Sequence, residues 1–219
     1  MKESIMATPL KRTFLPAAGR DRYLPLYDLM TRLMGADQAR RGLLDQAQVR
    51  PGHRILDIGC GTGSLLIQLK RLYPGTDVVG LDPDPKALAR ANRKAADAAV
   101  SIQFDQGFGD ELPYPNASFD RVLSSLMFHH VPTDEKTKTV RAIRHVLKPG
   151  GEFHMLDFEG PEKGAHGILS RLLHSNQRLK DNSESRVLHF MTEAGFSEPK
   201  KVGHREMFFG HIAYYRAIA

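Results

Sequence analysis

Three glycines at alternate positions, Gly59, Gly61 and Gly63, follow Asp57 and are the first place where this chain can do chemistry. Glycine accepts positive φ and lets a ligand approach the main chain closely. The loop is entered through Ile55-Leu56-Asp57-Ile58 and left through Ser64-Leu65-Leu66-Ile67-Gln68-Leu69. The first run reads as a buried strand and the second as an amphipathic helix. The helix start turns unpaired N–H groups and a partial positive charge toward the loop. A carboxylate, a phosphate or another polar group fits there. A dinucleotide fingerprint counted from Gly59 wants Gly or Ala in its third slot. Ser64 stands in that slot, which argues against a nicotinamide oxidoreductase.

Other residues have chemistry at the right places. Asp82 closes the apolar run Val78-Val79-Gly80-Leu81, 25 residues after Asp57. A carboxylate there can accept two hydrogen bonds from a ribose diol. It can also act only as an acid near a helix start. His129 follows Leu123-Ser124-Ser125-Leu126-Met127-Phe128. Histidine is the side chain suited to moving protons near neutrality, and a structural role at a strand–loop junction is the competing reading. His129 and His130, with no cysteine or carboxylate pair nearby in sequence, make a poor metal site.

These residues need elements to hold them. Strands are expected at 55–58, 77–82, 100–104, 120–124 and 152–158, and helices between them: 65–72, Lys86 to about Ala96 with Asp84 as N-cap, and one opened by Asp134 or Thr133 and running through Leu147, stopped by Pro149-Gly150-Gly151. Asp84-Pro85 is a helix-start signature. Two helices are expected before the first strand, one over 23–34 and one capped by Asp37 and running to about Gln48. Helices at 166–180 and 183–194, the second stopped by Gly195, precede two strands joined too closely for a parallel crossover. Alternating strands and helices imply a mostly parallel sheet covered on both faces. Residues 1–50 form an N-terminal extension with lid helices, and 51–219 form the core, with a helical insert at about 164–195.

The composition is that of a globular chain: 219 residues, 41% hydrophobic and 26% charged. The single cysteine, Cys60, excludes an internal disulfide and points to a reducing, cytoplasmic compartment. No apolar run approaches the roughly 18 residues of a membrane span. The net charge of +6 lies in the flanks and is dispersed, without interleaved aromatic residues. A compact apolar-lidded acceptor is therefore expected over a nucleic acid.

Asp57-x-Gly59-x-Gly61-x-Gly63 resembles motif I of the class I S-adenosylmethionine-dependent methyltransferases. Further stretches follow in that family's order. Gly107-Phe108-Gly109-Asp110-Glu111-Leu112-Pro113-Tyr114 with Ser118-Phe119-Asp120 is similar to G-D-A-x-x-L-P-F-x-x-x-S-F-D, with Phe108 at the aspartate position. Ser124 through Val131 is similar to S-x-x-L-H-H-V. Arg144 through Gly151 is similar to R-V-L-K-P-G-G. The likeness covers about residues 50–160. Tyr27-Asp28-Leu29-Met30 and Ala194-Gly195-Phe196 resemble the ubiquinone/menaquinone-biosynthesis C-methyltransferases, which often carry Arg-Asn where this chain has His129-His130.

The resemblance implies an α/β, Rossmann-like doubly wound fold: a mostly parallel seven-stranded sheet with an antiparallel C-terminal strand and helical lid elements. It implies S-adenosylmethionine as methyl donor, S-adenosylhomocysteine as product, and in-line attack by a small-molecule or lipid-like acceptor. Asp57, Gly59, Cys60 and Gly61 would hold the methionine portion, and Asp82 with Pro83 the ribose. Phe108 and Gly109 would line the adenine, and Ser124 or Ser125 would meet the methionine amino group through backbone carbonyls. His129 is the candidate base, and Tyr27, with Tyr23, would cap the pocket. A non-catalytic S-adenosylmethionine-binding protein and an RNA methyltransferase stay open as alternatives, and a homodimer is compatible with the chain.

Overall fold

The computed structural model describes residues 35–160, 181–207 and 210–219. The expected leading helix with Tyr23 and Tyr27, and the expected helix at 166–180, lie outside the described residues.

Helix α1 (Ala36–Gln46) leads into strand β1 (Arg54–Ile58). Helix α2 (Ser64–Leu72), strand β2 (Asp77–Asp82), helix α3 (Pro85–Asp97) and strand β3 (Gln103–Gln106) follow. Strand β4 (Phe119–Ser125) runs into a short 3-10 turn, Phe128–His130. Helix α4 (Thr133–Val146), strand β5 (Leu147–Phe158), helix α5 (Glu184–Glu193), strand β6 (Ser197–Met207) and strand β7 (Gly210–Ile218) complete the order.

The seven strands form one sheet in the order β3-β2-β1-β4-β5-β7-β6. β1 pairs in parallel with both β2 and β4, β2 with β3, and β4 with β5. β7 inserts antiparallel between β5 and β6. The two closely joined C-terminal strands pair antiparallel as expected, and β7, the one strand that runs against the rest, lies nearer the centre than β6. Side chains alternate along β1. Ile55 faces the α1–α3 side, where Leu43, Leu44, Leu66, Leu69 and Leu88 are buried. Leu56 and Ile58 face the α4–α5 side with Val140, Ile143, Val187 and Phe190. Burying both faces explains why the central strands are apolar throughout.

Local signals account for most boundaries. Asp84 caps α3, its side chain accepting from Lys86 N–H at 2.9 Å, with Pro85 in the first helical position. The expected cap of α1 is corrected. Gly35, at φ +86°, precedes the helix and Asp37 sits in its first turn, where it bonds Arg40 at 3.1 Å. β3 begins later than expected because Ala99 (φ +52°) and the Val100 N–H to Ala95 carbonyl bond first close the end of α3.

Candidate functional site

The sheet reverses direction between β1 and β4: the chain adds β2 and β3 on one side of β1, then crosses to β4 on the other. In open α/β sheets this switch point opens a crevice beyond the carboxyl ends of the strands. The glycine loop leaves β1 there, and the Ser124–Val131 segment leaves β4 beside it.

The loop is shaped by its own main chain. Gly59 and Cys60 N–H both donate to the Leu81 carbonyl (2.8 and 3.1 Å), and Gly63 N–H donates to the Cys60 carbonyl (2.9 Å). Gly59, Gly61 and Gly63 all have positive φ. A Cβ at Gly63 would lie 3.0 Å from Phe104 and 3.1 Å from Ala91, so this glycine lets the loop lie against α3 and β3. Around Gly61 a Cβ would meet nothing within 4 Å among the described residues, so its side of the loop is open to them. Lys94 of α3 braces the loop, donating to Thr62 Oγ1 (3.0 Å) and Ser64 Oγ (2.7 Å).

Asp82 is tied into this frame. Oδ2 accepts from Gly61 N–H at 2.8 Å and Oδ1 from Asp84 N–H at 2.9 Å. Burial pushes its carboxyl up, and the two N–H donors oppose that. Each carboxylate oxygen keeps a further acceptor position. Pro83 follows, its carbonyl accepting from Gln106 Nε2 at 3.2 Å. The Gly107 N–H donates to the Asp82 carbonyl (3.2 Å), which draws Phe108 and Gly109 to the same rim. A Cβ on Gly109 would lie 3.1 Å from Ile58 and 3.2 Å from Thr139, so the main chain packs closely there between β1 and α4.

Three buried polar atoms at this end have no hydrogen-bond partner among the described residues: Asp57 Oδ1, Ser124 Oγ and Ser125 Oγ. Ser124 pairs across the sheet with Ile58, one residue past Asp57. Burial holds the Asp57 carboxyl well above its ordinary range. Unsatisfied buried polar atoms are costly, and a ligand bearing an ammonium can satisfy Asp57 Oδ1. That fits the methionine end of S-adenosylmethionine. The Cys60 thiol is buried against the sheet, and burial pushes it well up.

His129 stands in the 3-10 turn. Its Nδ1 lies 2.6 Å from Asp157 Oδ1, and its backbone N–H donates to Asp157 Oδ2 at 3.2 Å. Sequence reasoning missed Asp157, although an acid ending the buried run Phe153–Leu156 at a strand's carboxyl end was a readable signal. It also missed Met127, whose side chain lies directly on Gly59, and Lys94. Tyr27 lies outside the described residues. The structure thus brings Asp57, Gly59, Cys60, Gly61, Asp82, Pro83, Phe108, Gly109, Ser124, Ser125 and His129 to one end of the sheet. Among the described residues no group of three or more His, Cys, Asp or Glu side chains could hold a metal.

Residues 55–151 match the model of a methyltransferase domain. The chain is 39% identical to the demethylmenaquinone methyltransferase of Thermus thermophilus, over 68% of each protein. It is 32% identical to the ubiquinone/menaquinone biosynthesis C-methyltransferase UbiE of Pseudomonas paraeruginosa, over 88% of this chain and 84% of that one. Its fold resembles that of a SAM-dependent methyltransferase from Aquifex aeolicus (TM-score 0.70, 17% identity, 91% of this chain and 98% of the other).

Proposed function

This chain belongs to the class I S-adenosylmethionine-dependent methyltransferases of the UbiE-like group, and from that premise we propose that it methylates a small, lipid-like acceptor of the quinol type. The observation that carries the reading is the partnerless buried Asp57 Oδ1 beside a glycine loop whose Gly61 side is open among the described residues. The curated relatives support the acceptor class, since the names of both specify quinone-biosynthesis substrates. A cytoplasmic location belongs to the same proposal, supported by the single free cysteine.

The donor supplies an electrophilic methyl group on a sulfonium. The protein binds, orients and excludes water. Asp57, the Gly59–Gly61 main chain and the two serines hold the methionine portion. Asp82 and Pro83 hold the ribose, and Phe108 with Gly109 lines the adenine. Tyr27 remains the proposed cap of the pocket.

Calorimetry tests the reading. S-adenosylhomocysteine is expected to bind in the micromolar range or tighter and NAD not at all, with label from S-adenosylmethionine entering quinols and not RNA. Binding of NAD alone would overturn it. Steeply salt-dependent RNA binding, with label entering RNA, would overturn the acceptor class.

Asp82→Ala is expected to weaken S-adenosylhomocysteine binding about tenfold or more while the fold persists. It removes a charge-assisted acceptor, of the order of 1.5–3 kcal/mol, and frees the Gly61 N–H that the carboxylate holds. Unchanged affinity in a folded variant would leave Asp82 as a loop brace alone.

A further inference from the structure

We propose that His129 and Asp157 act as a proton-abstracting pair, with His129 Nε2 as the base and Asp157 as its positioning residue, and that they select acceptors bearing a phenolic or enolic hydroxyl. The proposal rests on the methyltransferase reading above and specifies the chemistry its acceptor must have.

The geometry is that of a fixed imidazole. Asp157 is 1% exposed and sits at the end of β5, beside β4, where Ser125 pairs with Leu156. Its carboxylate gathers three N–H groups. Oδ1 accepts from His129 Nδ1 (2.6 Å) and Phe158 N–H (2.7 Å), and Oδ2 accepts from His129 N–H (3.2 Å). Burial alone would push this carboxyl up. The imidazole and the backbone donors instead hold it below the usual carboxylate range.

An ionised carboxylate can only accept, so Nδ1 carries the hydrogen and Nε2 of the neutral ring carries the lone pair. Among the described residues nothing is bonded to Nε2. Phe158 meets the ring edge-on at 5.1 Å and His130 lies against it at 3.9 Å, so tilt as well as rotation is limited. The side chain keeps 14% of its surface accessible. It lies just past the carboxyl end of β4, two residues after the Met127 that touches Gly59. Nε2 is therefore aimed by its neighbours and left for a substrate.

The class of acceptor follows from what such a base changes. An amine can lose its proton to water after the methyl is in place, and a thiol ionises readily. A phenol or hydroquinone is a poor nucleophile until its hydroxyl is ionised. In the proposed step the acceptor O–H bond breaks, the proton goes to Nε2, and the electron pair stays on oxygen, conjugated with the ring. The oxygen, or the ring carbon ortho to it, then takes the methyl carbon from the donor sulfonium, whose carbon–sulfur electron pair stays on sulfur. A carbon acceptor passes through a cyclohexadienone. It regains its aromatic ring by losing the ring proton to solvent, while the imidazolium proton returns to the oxygen. An oxygen acceptor needs no second step, and the proton on Nε2 leaves to solvent.

Three measurements on the full chain test this. Nitrogen-15 spectra of the histidines are expected to show His129 as the Nδ1–H tautomer in the wild type and as a tautomer mixture in Asp157→Asn, whose amide has one acceptor oxygen for three donors. Calorimetry is expected to find S-adenosylhomocysteine affinity within about twofold of wild type in His129→Gln. In methyl transfer to a series of ring-substituted phenols and naphthohydroquinones, His129→Gln is expected to lower kcat about a hundredfold or more, within the usual range for losing a general base. That loss is expected to shrink steadily as the acceptor hydroxyl becomes more acidic. Asp157→Asn is expected to show the same trend with a smaller loss. A loss that is uniform across the series, or an Nε2–H tautomer in the wild type, would assign the pair a structural role and overturn the proposal. Failure of the wild type to bind S-adenosylhomocysteine would instead overturn the methyltransferase reading, and this proposal with it.

Discussion

Gly59→Ala is expected to cost both fold stability and cofactor binding, and Gly61→Ala mainly binding. The two glycines are both left-handed, at φ +69° and +53°, so each substitution carries about 1–2 kcal/mol of backbone strain. Their surroundings differ. A Cβ on Gly59 would lie 2.1 Å from Met127 Cγ and 2.8 Å from Met127 Cβ. Those atoms are close to the main chain and cannot swing aside as a side-chain tip would. Met127 is itself constrained, since Leu126 before it has φ +57° and donates its N–H to the Leu156 carbonyl at 2.8 Å. Relieving the overlap must shift either the segment leaving β4 or the loop leaving β1, for a further ~1–3 kcal/mol.

The sum, roughly 2–5 kcal/mol, corresponds to a fall in melting temperature of roughly 4–20 °C for a chain of this size. S-adenosylhomocysteine affinity is expected to fall more than tenfold as the loop moves. Gly61→Ala adds strain only, because its Cβ enters open space. It is expected to melt within several degrees of wild type yet bind poorly, since that space is where the ligand is proposed to lie. Adding Met127→Ala to Gly59→Ala is expected to recover part of the lost stability, a coupling of about 0.5–3 kcal/mol. Thermal melts of Gly59→Ala, Gly61→Ala, Met127→Ala and the Gly59→Ala/Met127→Ala double variant decide the matter. A Gly59→Ala chain as stable as Gly61→Ala would show that Met127 moves freely.

The contact between Met127 and Gly59 illustrates what the sequence could and could not carry. The strand–loop–helix around Gly59, the parallel order of the first five strands and the Asp84-Pro85 helix start all depend on residues close together in the chain. Their signals are apolar runs, glycines and caps, and they were legible. The Asp82 carboxylate bonded to Gly61 was half legible. The acid at the strand end could be read, but its second task of holding the loop depends on how β1 and β2 lie side by side.

The His129–Asp157 pair was not legible as a pair. It exists only because β4 and β5 are neighbours, and the two residues are 28 apart in the chain. Turn chemistry misled at two boundaries. Gly35 rather than Asp37 opens α1, because a left-handed glycine needs no side-chain oxygen to start a turn. The strand after α4 was read as beginning past Pro149-Gly150-Gly151, yet Leu147 already pairs with Phe119 and the ladder shifts register before resuming at Arg121 and Glu152.

A second large effect is expected far from the crevice, where β5 meets α1: Glu152→Ala should destabilise the chain by about 3 kcal/mol and flatten its acid unfolding. His154, completely buried, donates from Nε2 to Glu152 Oε2 at 2.9 Å. With its hydrogen there, Nδ1 is an acceptor and receives Gln46 Nε2–H at 2.9 Å, while the other Gln46 amide hydrogen goes to the Tyr215 carbonyl at 2.9 Å. Glu152 also takes a two-pronged contact from Arg216 (3.0 and 2.7 Å), and Arg121 lies 3.9 Å away. The Gln46 bond to Nδ1 requires a neutral imidazole, and the Arg216 fork is strongest to an ionised Glu152. Protonating His154 would set two donors, Nδ1–H and the Gln46 amide, against each other.

Burial lowers the His154 imidazole from 6.5 even though Glu152 pulls it up. The His154 hydrogen bond and the Arg216 fork, working against burial, hold Glu152 well below 4.5. Both groups therefore bind fewer protons folded than unfolded, and stability falls as pH falls. The His154 contribution is complete above pH 6.5 and declines below it. The Glu152 contribution is complete above 4.5 and declines toward its lower folded value. Asp57 and Asp82, raised by burial, act in the opposite direction and are common to wild type and variant. Removing the Glu152 carboxylate leaves two guanidinium groups and a buried N–H facing each other, the situation that makes a broken buried ion pair expensive. The difference between wild-type and Glu152→Ala stability, measured by urea unfolding at a series of pH values, is expected to be near its full size above pH 6.5 and to shrink below 4.5. A constant difference down to the most acid sample would place the stabilising charge elsewhere than on Glu152.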